Sequence, residues 1–112
     1  MKIGVCGSPE VAVAASNAGL DYFEWGVQTF LQPRADDAAF KKALAAVKAA
    51  PLPCPVCNGF LPGELKVTGP AVDDAAVDAY VATACARAEV AGVDTIVFGS
   101  GGAREVPEGF DK

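Results

Sequence analysis

The chain has 112 residues, a net charge of −5 and an apolar share of 52%, which is enough for the core of one small domain spanning residues 1–112 and argues against disorder. An acidic chain without a basic cluster is a poor nucleic-acid binder. No apolar run approaches the ~20 residues of a membrane span, and the N-terminus lacks the layout of a signal peptide. We therefore expect a soluble, cytoplasmic protein that binds neither nucleic acid nor membrane.

The first half of the chain predicts two strands and one helix. Residues 2–6 form a short apolar strand, and residues 8–10 supply a capping serine, a first-turn proline and a first-turn acid for a helix. Residues 21–27 form an aromatic-rich second strand, and residues 28–35 form a loop. Within the helix, which Gly19 ends, apolar residues recur at helical spacing: Val11, Ala14, Ala15 and Ala18.

The second half predicts two more helices and two more strands. One helix begins near Asp36 or Asp37 and ends before Pro51, with Phe40, Leu44 and Val47 on its buried face. Residues 54–58 form the third strand, residues 59–72 a long loop, and residues 94–99 the fourth and clearest strand. The last helix begins at Asp73 or Asp74, ends at Gly92, and has an apolar stripe of Val77, Tyr80, Val81, Ala84, Ala88 and Ala91.

This alternation predicts an α/β fold, a parallel (βα)3β unit with right-handed crossovers. Two arrangements are open. One is a small sheet wound on both faces, and the other is half of a (βα)8 barrel, since a complete barrel needs about 250 residues. In either arrangement, functional residues collect at the carboxyl ends of the strands.

Glu24 is the sharpest candidate at this rim. It interrupts an apolar strand, and the period of two puts Phe23 and Trp25 on one face and Glu24 on the other. A carboxylate there serves as a general base or as a polar contact for substrate, or else as a structural hydrogen-bond acceptor. Without histidine in the chain, carboxylates, lysines, tyrosines and thiols are the remaining groups for proton transfer, and histidine triads and histidine-ligated metals are excluded.

The loop after the fourth strand is the second candidate. Ser100, Gly101 and the following glycine can turn backbone N–H groups toward an anion, and Arg104 can add a bidentate grip. Asn58 can donate and accept hydrogen bonds at the rim, or form a turn. Trp25 can stack on a sugar face, or belong to the core.

Four cysteines allow other chemistry. Cys54 and Cys57 have the spacing of zinc and redox sites, but no second ligand pair is visible for zinc. The prolines around Cys54 favour an extended segment over the helix N-terminus that lowers a thiol pKa. Free cysteines acting as small apolar residues are the simplest interpretation, and a thiol oxidoreductase is a disfavoured alternative.

The segment Val97-Phe-Gly-Ser-Gly-Gly-Ala-Arg104, followed by Val106-Pro-Glu-Gly-Phe110, resembles the sugar phosphate isomerase/epimerase family, which has a xylose isomerase-like TIM barrel. The opening residues 1–7, the Phe23-Glu-Trp25 strand and the alanine-rich helices are similar to the first half of that family in the same order. The resemblance implies the first half of a (βα)8 barrel, acting on sugars, sugar phosphates or small hydroxy-carbonyl compounds. It also implies substrate contacts at Glu24, Asn58, Ser100 and Arg104.

Members of that family use a divalent metal held by strands five to eight, and this chain offers no position for those ligands. We therefore expect no cofactor in this chain, and an isomerase-like half-barrel that is inactive or only partly functional alone. Its end near Phe110, where a fourth helix should begin, suggests truncation. The exposed edges and inner face of a half-barrel favour a homodimer.

Two alternatives stay open. One is an active isomerase in which Glu24 of both subunits forms a carboxylate pair. The other is a non-enzymatic α/β module that binds a sugar or an anion through the strand-four loop.

Overall fold

The structure is a computed structural model that describes residues 1–110. Within these residues the chain forms four parallel strands and five helices. In chain order they are β1 (Gly4–Cys6), α1 (Pro9–Asn17), β2 (Tyr22–Gly26), α2 (Val27–Phe30), α3 (Asp37–Ala49), β3 (Val56–Asn58), α4 (Asp74–Ala91), β4 (Thr95–Ile96) and α5 (Gly101–Arg104). The predicted α/β alternation is confirmed.

The strands lie in the order β1-β2-β3-β4, all parallel. Right-handed crossovers between strands in sequential order all pass over the same face of the sheet. A sheet wound on both faces instead requires the strand order to reverse at one point. The observed order therefore favours one-sided winding.

One face of the sheet carries the core. Phe23 and Cys57 point from the sheet into it and are fully buried. Val5, Trp25 and Ile96, which share that face by register, are half-buried against the same cluster. The helices cover this face with a set of buried side chains: Ala12, Val27, Phe30, Phe40, Leu44, Val47, Tyr80, Ala84 and Ala88.

The opposite face has no buried residue among its described strand positions. The register places on it Gly4 beside Tyr22, Cys6 beside Glu24, Gly26 beside Asn58, and Val56 beside Thr95. We call this side of the sheet the uncovered face. It is the face on which the period of two placed Glu24.

The two long helices begin where their caps predict. Asp36 accepts a hydrogen bond from the Ala39 N–H at 2.9 Å, and Asp73 accepts one from the Ala76 N–H at 3.0 Å. Gly92 ends α4 with a φ of +73°, which the absence of a Cβ makes accessible. These aspartates satisfy free N–H groups of the first turn.

The predicted face of α1 is correct only at Ala15. Ala12 and Ala15 are buried, whereas Val11 is 39% exposed and Ala14 and Ala18 are also exposed. Small apolar residues lie on all sides of this helix, so the sequence pattern does not indicate which side is buried. The buried side is determined by how the helix packs on the sheet.

The regions around β2 and β4 also differ from expectation. The stretch after β2 is not wholly a loop, because Val27–Phe30 forms a helical turn whose Phe30 is fully buried. The fourth strand, expected to be the clearest, pairs only at Thr95 and Ile96, with one further bond from the Val97 N–H to the Cys57 carbonyl at 2.8 Å. Its partner β3 ends at Asn58, and Phe98 turns instead to pack edge-on against Phe60 at 5.6 Å.

Candidate functional site

Three polar side chains lie together on the uncovered face at the carboxyl ends of β1, β2 and β3. They are Glu24 and Asn58, which the sequence predicted, and Cys6 beside them. Glu24 lies opposite Cys6 of β1 and Val56 of β3, and Asn58 lies opposite Gly26, two residues further along. The Asn58 carboxamide donates to the Cys6 sulfur at 3.8 Å, across the width of β2. Glu24 and Asn58, both sequence predictions, therefore share one small region of the rim.

Glu24 is half-buried in this region. Within residues 1–110, its carboxylate accepts no hydrogen bond and forms no ion pair with a basic side chain. A half-buried carboxylate without a protein partner is available for a ligand hydroxyl or for a proton.

Trp25 lies on the other side of the sheet. Its ring stacks on Phe30 at a centroid distance of 5.6 Å and an interplanar angle of 21°, and the side chain packs against the buried cluster. The structure therefore does not bring Trp25 to the face of Glu24 and Asn58, so a sugar stacked on it would bind elsewhere.

The side chains of the strand-four loop that were predicted to bind an anion make hydrogen bonds within the protein instead. The Ser100 hydroxyl accepts from the Leu61 N–H at 2.9 Å, which ties the loop to the one after β3. The Arg104 guanidinium donates to the Gly99 carbonyl at 3.0 Å and lies 5.6 Å from the centre of the Phe98 ring. An anion at Gly101 would compete with these contacts for Arg104.

A cleft that the sequence analysis missed lies beside the loops after β2 and β3. It has a volume of about 270 Å³, and Gln28, Arg34, Glu64 and Tyr80 are among its lining residues. The Arg34 guanidinium pairs with the Glu64 carboxylate and lies 5.9 Å from the centre of the Tyr80 ring. The backbone around Glu64 and this pair hold the pKa of the Glu64 carboxyl below its usual value, and burial raises the pKa of Tyr80. Arg34 and Glu64 are 30 residues apart, so no local sequence motif indicates that they form a pair.

The cysteines divide into two classes. Cys54 and Cys57 are buried, and the Cys54 thiol donates to the Val56 carbonyl at 3.6 Å. The proximity of the two thiols lowers the pKa of Cys54 and, with burial, raises that of Cys57. Cys6 and Cys85 are exposed, and all four are free thiols. Burial shields the Cys54–Cys57 pair from the reactants of a thiol oxidoreductase.

A metal of the kind that the resemblance implies needs at least three side-chain ligands. In the described part of the chain, no three His, Cys, Asp or Glu side chains gather to hold one. None of the helices described is both long and apolar enough to span a membrane.

Comparison with known proteins gave no match to any family model, any curated protein or any solved structure.

Proposed function

We propose that the chain is the substrate-side half of a sugar isomerase/epimerase-like barrel, and that it binds a small sugar or sugar phosphate at the rim of its uncovered face. The observation that carries the proposal is the position of Glu24. Its carboxylate is half-buried on that face, at the carboxyl ends of parallel strands, where ligands of such sheets bind.

The two rim side chains suit a polyhydroxylated ligand. A carboxylate accepts hydrogen bonds only, and a carboxamide both accepts and donates, so Glu24 and Asn58 together match the hydroxyl and carbonyl oxygens of a sugar. Glu24 is also the group that could take a proton from the carbon beside a carbonyl. We expect weak binding and little turnover by this chain alone, because Glu24 and Asn58 offer a ligand only a few hydrogen bonds.

Titration with D-fructose 6-phosphate, followed by amide NMR shifts, tests the proposal. We expect a millimolar dissociation constant and shifts centred on residues 24 and 58. Glu24→Gln should weaken binding about tenfold, the equivalent of ~1.4 kcal/mol. Glu89→Gln is the matched control, because Glu89 is exposed on α4. Absence of shifts, or equal weakening by both variants, would contradict the proposal.

The same titration distinguishes binding at the Glu24 rim from the alternative, in which the chain binds a ligand through the strand-four loop. In that case the shifts would centre on residues 100–104, inorganic phosphate would reproduce them, and Arg104→Ala would abolish them. If the ligand binds at the Glu24 rim, Arg104→Ala should leave the affinity within about twofold, since its guanidinium is engaged by the loop's own carbonyls.

A further inference from the structure

The cleft beside the loops after β2 and β3 shares no lining residue with the Glu24 rim. Its volume is about 270 Å³. Ligand pockets in proteins begin at about 300 Å³, so the cleft suits a ligand at the small end of that range. Because neither Glu24 nor Asn58 lines it, the chemistry of a ligand bound here depends on other side chains.

The cleft presents one cation and one anion side by side. Among the described residues that line it, Arg34 and Glu64 alone carry a charge. One nitrogen of the Arg34 guanidinium donates to one oxygen of the Glu64 carboxylate. A guanidinium has five N–H donors, and a carboxylate has two oxygens that accept hydrogen bonds. Within residues 1–110 Arg34 makes no other hydrogen bond, so both side chains retain groups for a ligand.

The remaining lining offers a ligand mainly apolar contacts. Gln28 and Gln32 use their amide donors on backbone carbonyls, at 2.8 Å and 3.4 Å. The Tyr80 hydroxyl likewise donates to the Phe60 carbonyl at 2.8 Å. We therefore expect the part of a ligand beyond its charged groups to be apolar. The other lining residues are small and apolar: Pro33, Ala35 and Pro62.

One wall of the cleft is fixed by contacts from outside it. Gln32 in this wall has a φ of +46°, a left-handed conformation that is uncommon for a residue with a side chain. The buried Arg87 donates to the carbonyls of Gln32 and Ala35, which flank Arg34 in sequence. Residues held in such conformations by their surroundings cluster at ligand sites. A wall that is already in place also lowers the ordering cost of binding.

We propose that this cleft binds a free α-amino acid with an apolar side chain. The carboxylate of the ligand accepts hydrogen bonds from the unused donors of Arg34, and its ammonium donates to the free oxygen of Glu64. One carbon joins the two charged groups of an amino acid, which matches two side chains in direct contact. A ligand with a single charge binds less well, because one member of the pair repels the ion that the other attracts. The site goes beyond the proposed sugar function.

Titration of the full chain with L-leucine, followed by amide NMR shifts, tests the site. We expect a millimolar dissociation constant and shifts centred on residues 32–35 and 64. 4-Methylpentanoate lacks only the ammonium of leucine and 3-methylbutylamine lacks only its carboxylate, so each should bind about tenfold more weakly for the loss of charge-assisted hydrogen bonds. Arg34→Met and Glu64→Gln should each weaken leucine binding by about the same factor. Glu89→Gln, at an exposed position on α4, is the matched control and should leave the affinity unchanged.

Three results would overturn the amino-acid site: no shifts with leucine at millimolar concentrations, equal affinity for 4-methylpentanoate, or unchanged leucine binding by Glu64→Gln. The side chains of Arg34 and Glu64 are 51% and 68% exposed, so we expect both variants to keep the fold, which circular dichroism checks. If a variant fails to fold, the two leucine analogues still test the site on the wild-type chain. D-Fructose 6-phosphate has no ammonium and is titrated separately, so failure of this site and failure of the sugar site are independent results.

Discussion

Arg87 is a buried charge that holds the loop after α2 in place. It is 8% exposed, and its guanidinium donates to the Leu31 carbonyl at 3.0 Å, to the Ala35 carbonyl at 2.9 Å and to the Gln32 carbonyl. It also pairs with Asp37 at 3.1 Å and lies 5.2 Å from the centre of the Phe40 ring. These contacts fix the loop that lines the cleft.

Arg87→Met keeps the apolar stem and removes every donor. Because it leaves one buried and two partly buried carbonyls without their donor, we expect a loss of about 3 kcal/mol in the free energy of unfolding, measured by urea denaturation. Arg34→Met is the control, since it removes a half-exposed ion pair and should cost less than about 1 kcal/mol. Similar losses in the free energy of unfolding of the two variants would contradict the stabilising role of the Arg87 hydrogen bonds.

At the scale of the element, the caps determine the limits of the long helices. Asp73→Ala removes the acceptor of the Ala76 N–H, and we expect it to lower the free energy of unfolding by about 1 kcal/mol, while Asp73→Asn retains most of it. Asp78→Ala, at an exposed position within α4, should change the free energy of unfolding by less than about 0.5 kcal/mol. Thermal denaturation of the three variants checks the prediction, and equal effects of Asp73→Ala and Asp78→Ala would refute it.

The elements show which signals the sequence carries and which it does not. The helices α3 and α4 were predictable because aspartate caps, a terminal glycine and long apolar stripes act locally. The buried face of α1 was not, because alanines surround the helix, and the length of β4 depended on where β3 stops. Arg87 bonds a loop more than 50 residues away, so no local pattern indicates its role.

The candidate site also combines features that the sequence predicts with features that it does not. The alternation of side chains along β2 correctly separated Glu24 from Trp25, since it depends on neighbours in sequence. The pairing of Asn58 with Cys6, and the cleft between Arg34 and Glu64, depend on strand order and loop packing. These are properties of the assembled sheet and not of any one segment.

At the scale of the whole molecule, the account depends on whether a ligand binds at the Glu24 rim of the uncovered face. Cys6 lies on that face and Cys85 on the outer side of α4, and both are exposed in the single chain. The two thiols therefore report on two surfaces of the same protein. A sugar phosphate bound beside Glu24 and Asn58 would shield Cys6, which lies opposite Glu24 and accepts a hydrogen bond from Asn58, and would leave Cys85 open.

The most direct measurement is the rate at which iodoacetamide labels Cys6 and Cys85 over a range of D-fructose 6-phosphate concentrations, read by peptide mass spectrometry. The account predicts that the sugar phosphate at ten times its dissociation constant slows labelling of Cys6 about tenfold, because about a tenth of the sites then stay open, and that it leaves the rate of Cys85 unchanged. The rate of Cys6 should return to its ligand-free value when the sugar phosphate is removed. A Cys6 rate that stays unchanged at every concentration of the sugar phosphate would contradict the account.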